Sequence, residues 1–196
     1  MSYLITAVDK NMGIGLYNNI PWKDTEEGKK DMLFFRKQTK NNAILIGYNT
    51  WKSIGRLLPD RLNIIITKSH YDEMKIIESN HYNNDKLDNN IKRNTEVKIF
   101  NNLIEGLNFS LDYENKTNKR VYICGGEKIY KEYLQRFTPK TIYLTKIKNN
   151  YNCDVFFPSD LLYNFTNNNS YKETIIDDIF YTYDNPNGGY FINKHI

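Results

Sequence analysis

Short runs of β-branched and aromatic residues recur along the chain: YLITAV (3–8), AILIG (43–47), LNIIIT (62–67), VKIF (97–100), RVYIC (120–124) and TIYLTKI (141–147). They are nearly continuous rather than alternating, which is how strands covered on both faces read. Stretches with helical spacing fall between them, at roughly 26–39, 49–55, 101–110 and 127–135. Strand and helix in alternation predict parallel strands joined by right-handed crossovers. The C-terminal third changes character. SYKETI and IFYTYD alternate apolar and polar positions, and NPNGGYFIN carries Asn-Gly turn chemistry. The pattern predicts one α/β domain over residues 1–196. Its central sheet is mainly parallel, with an antiparallel C-terminal edge and flanking helices.

A length of 196 residues suffices for one domain with a full core. Asparagine clusters in NHYNNDKLDNN (80–90) and NFTNNNS (164–170), and asparagine suits turns. Residues 70–95 therefore read as a long polar excursion between two strands, an Asn-rich and mobile insertion. An A/T-rich genome would give the same bias with no function attached.

The formal net charge is +4, with Lys and Arg spread along the chain and no basic block of the kind that marks a nucleic-acid arm. Mild basicity suits an anionic small molecule equally well. The two cysteines, Cys124 and Cys153, lie in or beside apolar stretches and read as reduced thiols. His70, His81 and His195 are scattered, so no metal site is expected. The opening MSYLITAVDK does not read as a signal peptide, and no apolar run approaches the ~20 residues that span a bilayer. A soluble cytoplasmic protein is the expectation.

In an open parallel sheet, ligands bind beyond the carboxyl ends of the strands. After 120–124 comes CGGEKIY, two glycines opening a helix, which could admit a phosphate or simply make a tight turn. After 43–47 comes GYNTW, where Gly47, Asn49 and Thr50 resemble another helix start. After 62–66 come Thr67, Lys68 and Ser69, a cation between two hydroxyls. Three such strand ends side by side suggest an extended anionic ligand such as a dinucleotide. After the first strand, NMGIGLYNNIPW (11–22) reads either as a lid with a mobile glycine end and a Trp anchor, or as a surface loop with one packed Trp. Asp31, in KKDMLFFRKQT (29–39), has a plain alternative too. An acid in the first turns of a helix complements the macrodipole without further purpose.

Taken in order, ITAVDKNMGIGLYNNIPW, DMLFFRKQT, AILIGYNTWKSIG, LPDRLNIIIT, VYICGGEKIYKEYL, IYLTKI and DVFFP closely resemble dihydrofolate reductase, from about residue 3 to about 158. The family reduces the pterin of dihydrofolate with NADPH, moving hydride to pterin C6 and adding a proton at N5. The resemblance implies that Asp31 is the ionisable group of the pterin pocket, pairing with the 2-amino and N3 groups. Burial among Phe34, Phe35 and Ile5 should raise its pKa. Thr145 would orient it, and Trp22 would anchor the lid and order a water. Ile5, Thr6, Ala7, Met32, Phe35, Ser53, Ile54, Leu58, Cys124 and Tyr130 match the remaining pocket. Arg61 matches the clamp on the substrate's α-carboxylate, a task for a planar fork. The cofactor set is Ala7, Ile14, Gly15, Ile20, Gly47, Tyr48, Asn49, Thr50, Thr67, Lys68, Ser69, Gly125, Gly126, Glu127, Lys128, Ile129 and Tyr130.

Three departures stand out. Tyr48 replaces a basic residue usual near the adenosine 2′-phosphate, leaving Lys68 as the cation and Thr67 as the hydroxyl. Cys124 replaces an aliphatic residue, though its backbone carbonyl can still accept a hydrogen bond. KDTEEGKK (23–30) is longer and more charged than usual. With no thymidylate synthase segment following, the chain reads as a single-function enzyme and a monomer. Two rivals are a related reductase acting on a ribosylated aminopyrimidine, and an RNA-binding module. The first is disfavoured by Asp31, Phe35 and Arg61 together. The second is disfavoured because the aromatics fall in core elements.

Overall fold

The computed structural model describes residues 3–87, 95–166 and 171–186. Six predicted strands form: β1 (Tyr3–Val8), β3 (Ala43–Gly47), β4 (Leu62–Ile66), β5 (Glu96–Phe100), β6 (Val121–Ile123) and β7 (Thr141–Lys146). They pair in parallel in the order β5-β4-β3-β6-β1-β7. Two antiparallel strands, β10 (Phe180–Asp184) and then β9 (Lys172–Ile175), extend the β7 side, as expected. The Asn-Gly turn at 187–188 lies outside the described residues.

Side chains alternate between two packed layers. Leu45 and Ile64 join Leu4, Leu103, Leu107 and Ile129 in one core cluster, while Ile44, Ile46 and Ile65 join Met74, Val97 and Ile99 in another. Helices α2 (Tyr48–Ile54), α4 (Leu103–Thr117) and α5 (Glu127–Arg136) follow β3, β5 and β6. Helix α1 (Glu26–Thr39) starts at Thr25, whose hydroxyl accepts from Gly28 N. Glu26 and Glu27 in its first turn and Arg36 and Lys37 in its last match the macrodipole. Helix α4 is longer than its expected 101–110; the Asn102 side chain caps its start, and left-handed Asn118 ends it.

The expected polar excursion is a correction. Residues Tyr71–Leu87 form helix α3. Asparagine-rich composition loses to tertiary contact. Met74 is fully buried and Tyr71 and Ile77 pack beside it. Buried Glu78 accepts from Lys75, Lys98 and Ile99 N, pinning the helix to β5. Two short strands were also not anticipated: β2 (Gly13–Gly15) pairs with β8 (Val155–Phe156), and a further helix, α6 (Ser159–Thr166), follows. Among the described residues no helix is long and apolar enough to cross a membrane, and no group of His, Cys, Asp or Glu could hold a metal ion.

Candidate active site

Asp31 lies on the inward face of α1, only 9% exposed. The same helix sends Phe34 and Phe35 against Ile5, Tyr3 and Tyr122 of the sheet. Met32 and Leu33 are exposed. Desolvation raises the Asp31 pKa to about 6, opposed in part by a hydrogen bond with the Thr145 hydroxyl. Thr145 is itself buried on β7, beside Ala7 of β1. The arrangement buries a carboxyl group poised to change charge near neutrality, on the helix that packs Phe34 and Phe35 against the sheet.

Arg61 opens β4 from the preceding loop and is also buried. Its Nε donates to Pro59 O at 3.0 Å and its Nη1 to Thr39 Oγ1 at 3.0 Å. Thr39 closes α1, so the helix carrying the acid also braces the arginine. Burial lowers the Arg61 pKa, and nearby Asp60 counters this.

A glycine turn sits at the end of β6. Gly125 has φ +103° and joins Gly126 through a cis peptide. A Cβ on Gly125 would lie 2.8 Å from the Tyr130 ring, and one on Gly126 would lie 3.0 Å from Thr50 Oγ1. Only glycines let Tyr130 and the α2 start close in this way. Gly47 N donates to Gly125 O at 2.7 Å, stitching the turn to β3. Gly47 and Gly126 are the N-caps of α2 and α5, and among the described residues neither cap makes a side-chain hydrogen bond. Their first N–H groups are thus open to an anion. One strand further out, Thr67 is buried while Lys68 and Ser69 are exposed.

The loop after β1 is tied at both ends. Asp9 Oδ1 accepts from Asn11 N and Gly13 N, and its Oδ2 accepts from Tyr151 N. These bonds hold the Asp9 pKa below the usual carboxylate range against a desolvation cost, the largest single influence. Tyr17 N donates to Asp154 Oδ2 at 3.0 Å. Trp22 is 1% exposed and packs its ring edge on Tyr151 at 5.6 Å. Among the described residues its indole N–H is buried without a partner.

The family model described as dihydrofolate reductase matches residues 1–184. The chain belongs to the dihydrofolate reductase family. It is similar to a dihydrofolate reductase of Staphylococcus haemolyticus, 30% identical over 96% of this chain and 91% of that one. It is also similar to a segregation and condensation protein A of Mycoplasma pneumoniae, 30% identical over 69% of this chain and 21% of that one. The chain likewise spans about a third (34%) or less of the bifunctional dihydrofolate reductase–thymidylate synthases it matches. Among solved structures, an Enterococcus faecalis dihydrofolate reductase complexed with NADP(H) and RAB-propyl shares the fold. Its TM-score is 0.63 at 21% identity, covering 95% of this chain and 96% of that one.

Within the dihydrofolate reductase fold, the expected site residues divide by burial. Ile5, Thr6, Asp31, Arg61, Ile129, Tyr130 and Thr145 are buried, and Ala7, Phe35, Leu58 and Cys124 are half-buried. Met32, Ser53, Ile54, Ile20, Asn49, Glu127 and Lys128 are exposed. Ile14 packs at the edge of the main core. The glycine end of the 11–22 loop, which a lid would leave mobile, is paired as β2 through Gly13 and Gly15. Burial pushes the Cys124 thiol pKa up and Sγ donates to Tyr122 O at 3.2 Å, which leaves it a protonated packing group. Two tethers of this loop, Asp9 and Asp154, were not singled out in the sequence. Asp9 ends the first strand, and a lone acid after an apolar run was the available signal.

Proposed function

We propose that this chain reduces dihydrofolate to tetrahydrofolate with NADPH, supplying one-carbon metabolism and thymidylate synthesis. The observation that carries the reading is the buried carboxyl of Asp31, on the helix that packs Phe34 and Phe35 against the sheet and bonded to the Thr145 hydroxyl.

The residues fit the cofactor. Side chains at Gly125 and Gly126 would fill the cradle, and the open helix starts beside it suit a pyrophosphate. When NADPH is bound here, it would supply the hydride for pterin C6. Gly125, Gly126, Glu127, Lys128, Ile129, Gly47, Asn49 and Thr50 hold the pyrophosphate end, while Thr67, Lys68, Ser69 and Tyr48 meet the 2′-phosphate end. Ala7, Ile14, Gly15, Ile20 and Tyr130 enclose the nicotinamide end.

Asp31 accepts two parallel hydrogen bonds from the pterin's 2-amino and N3 groups. Thr145 holds its plane, and a water ordered near Trp22 delivers the proton to N5. Phe35, Ile5, Thr6, Met32, Ser53, Ile54, Leu58 and the Cys124 backbone line the pterin and benzoyl space. Arg61, held by Pro59 and Thr39, takes the α-carboxylate of the glutamate. Excluding water beneath the lid strengthens each of these polar contacts.

The reading places a single domain over residues 1–196, working as a cytoplasmic monomer that also binds antifolates. Consumption of NADPH absorbance with dihydrofolate, compared with a ribosylated aminopyrimidine, tests the activity. Turnover confined to the aminopyrimidine would transfer the chain to that related reductase. Within the site, Lys68→Ala should raise KM for NADPH about tenfold and leave KM for NADH nearly unchanged, because only NADPH carries the 2′-phosphate. Equal losses for both cofactors would remove Lys68 from that contact.

A further inference from the structure

We propose that His70, stacked on Tyr48, completes recognition of the cofactor's 2′-phosphate and sets the preference for NADPH over NADH. The inference deepens the reading above and rests on it.

Tyr48 occupies a place where the resemblance leads one to expect a cation. In this chain the ring is not idle. The Tyr48 and His70 rings lie 3.9 Å apart between centroids and within 5° of parallel. Aromatic pairs more often sit 4.5–7 Å apart and offset. So close and parallel a stack fixes the plane of the imidazole against the phenol.

The backbone explains the meeting. Tyr48 is the first residue of α2, just beyond β3, and His70 immediately precedes α3, just beyond β4. The two strands are parallel neighbours with Gly47 opposite Ile66. Both rings therefore stand past the carboxyl ends of adjacent strands, with β5 outside them. Trp51, half-buried in the core, backs the phenol at 5.7 Å.

The imidazole is oriented as well as placed. His70 N donates to Thr67 Oγ1 at 3.2 Å, and Ser69 Oγ lies 3.0 Å from Nδ1. With Nδ1 engaged by the hydroxyl, Nε2 is the ring nitrogen left for a ligand. His70 is half-buried, so that atom can still be reached. Thr67, Lys68, Ser69 and His70 thus bring two hydroxyls, an ammonium and an imidazole to one loop. That set suits a phosphate monoester and offers nothing specific to a bare ribose hydroxyl. A charge-assisted N–H···O bond replaces the missing cation at Tyr48.

The test measures kcat/KM for both cofactors with dihydrofolate in the wild-type chain, His70→Ala and Lys68→Ala. His70→Ala should lower the NADPH-to-NADH ratio of kcat/KM about tenfold. A direct readout accompanies it. The C2–H resonance of His70, assigned by its loss in the variant, should shift on adding NADP+ and stay in place with NAD+. If Lys68→Ala is selective against NADPH while His70→Ala weakens both cofactors equally or neither, this assignment is overturned and the cofactor reading survives. If neither variant is selective, both fall together.

Discussion

Asp31→Asn should lower kcat/KM for dihydrofolate at least a hundredfold at neutral pH while making the folded chain more stable. The loss is of the size that removing one positioned acid–base group causes. The stability gain follows from the shift. Asp31 is buried and its pKa is raised from 3.8 to about 6, so the native state holds its proton more tightly than the unfolded chain does. Stability linked to this group is fully present below about pH 4 and is lost as pH rises through about 6. Two pKa units correspond to roughly 3 kcal/mol at neutral pH. An uncharged amide escapes that cost and can still bond the Thr145 hydroxyl. Tm of the variant should exceed wild type by roughly 6–12 °C at neutral pH, with the gap closing toward pH 4. Its activity profile should also lack the inflection near pH 6. Undiminished turnover, or a variant that melts lower at neutral pH, would show that Asp31 is not the desolvated acid of this cleft.

Gly28→Ala should do the opposite to the fold. Alanine ordinarily favours a helix interior over glycine by ~1 kcal/mol. Here a Cβ would lie 1.9 Å from Trp22 O, 2.7 Å from Trp22 C and 3.0 Å from Lys23 Cα. All three are backbone atoms, so the chain rather than a rotamer must move. Thr25 Oγ1 donates to that same Trp22 carbonyl at 2.8 Å, and Thr25 N reaches it at 3.0 Å. The displaced carbonyl loses both bonds and Trp22 leaves its place beside Tyr151 and Cys153. We expect ~3 kcal/mol of destabilisation, read as a Tm lower by roughly 6–12 °C, together with red-shifted tryptophan emission. Lys29→Ala, one position on at an exposed site, should show neither change. A Gly28→Ala chain matching wild type in both measurements would mean that the α1 start and the lid are not in contact in solution.

What the sequence made legible was whatever its apolar spacing encodes locally. β1 and β3 fall on their expected bounds because both faces are buried and every position is apolar or nearly so. Helix α1 also falls on its expected bounds, because its cap and charge gradient are local. Helix α3 was hidden because its evidence is long-range. Met74, Tyr71 and Ile77 gain meaning only against β5, and Glu78 only beside Lys98. Strands β2 and β8, at 3 and 2 residues, carry too few positions for any period to emerge. The site divides the same way. On its own Asp31 reads equally as a helix-start acid and was singled out only by the ordered motifs that resemble the family, whereas His70 sits in an unremarkable polar stretch. Its stack on Tyr48 exists only because β3 and β4 are neighbours.

Tyr130 gives the two halves of the site a shared member. Its hydroxyl donates to Ile5 O at 2.8 Å on the pterin side, while its ring covers Gly125 on the nucleotide side. On the proposed reading, a molecule seated on either flank would press on the same phenol. Any gain in grip that one guest confers on the other must be returned in equal measure, since linkage between two equilibria is symmetric. If the proposed reading holds, the sign of that coupling depends on whether both guests favour the same seating of the buried Tyr130 ring.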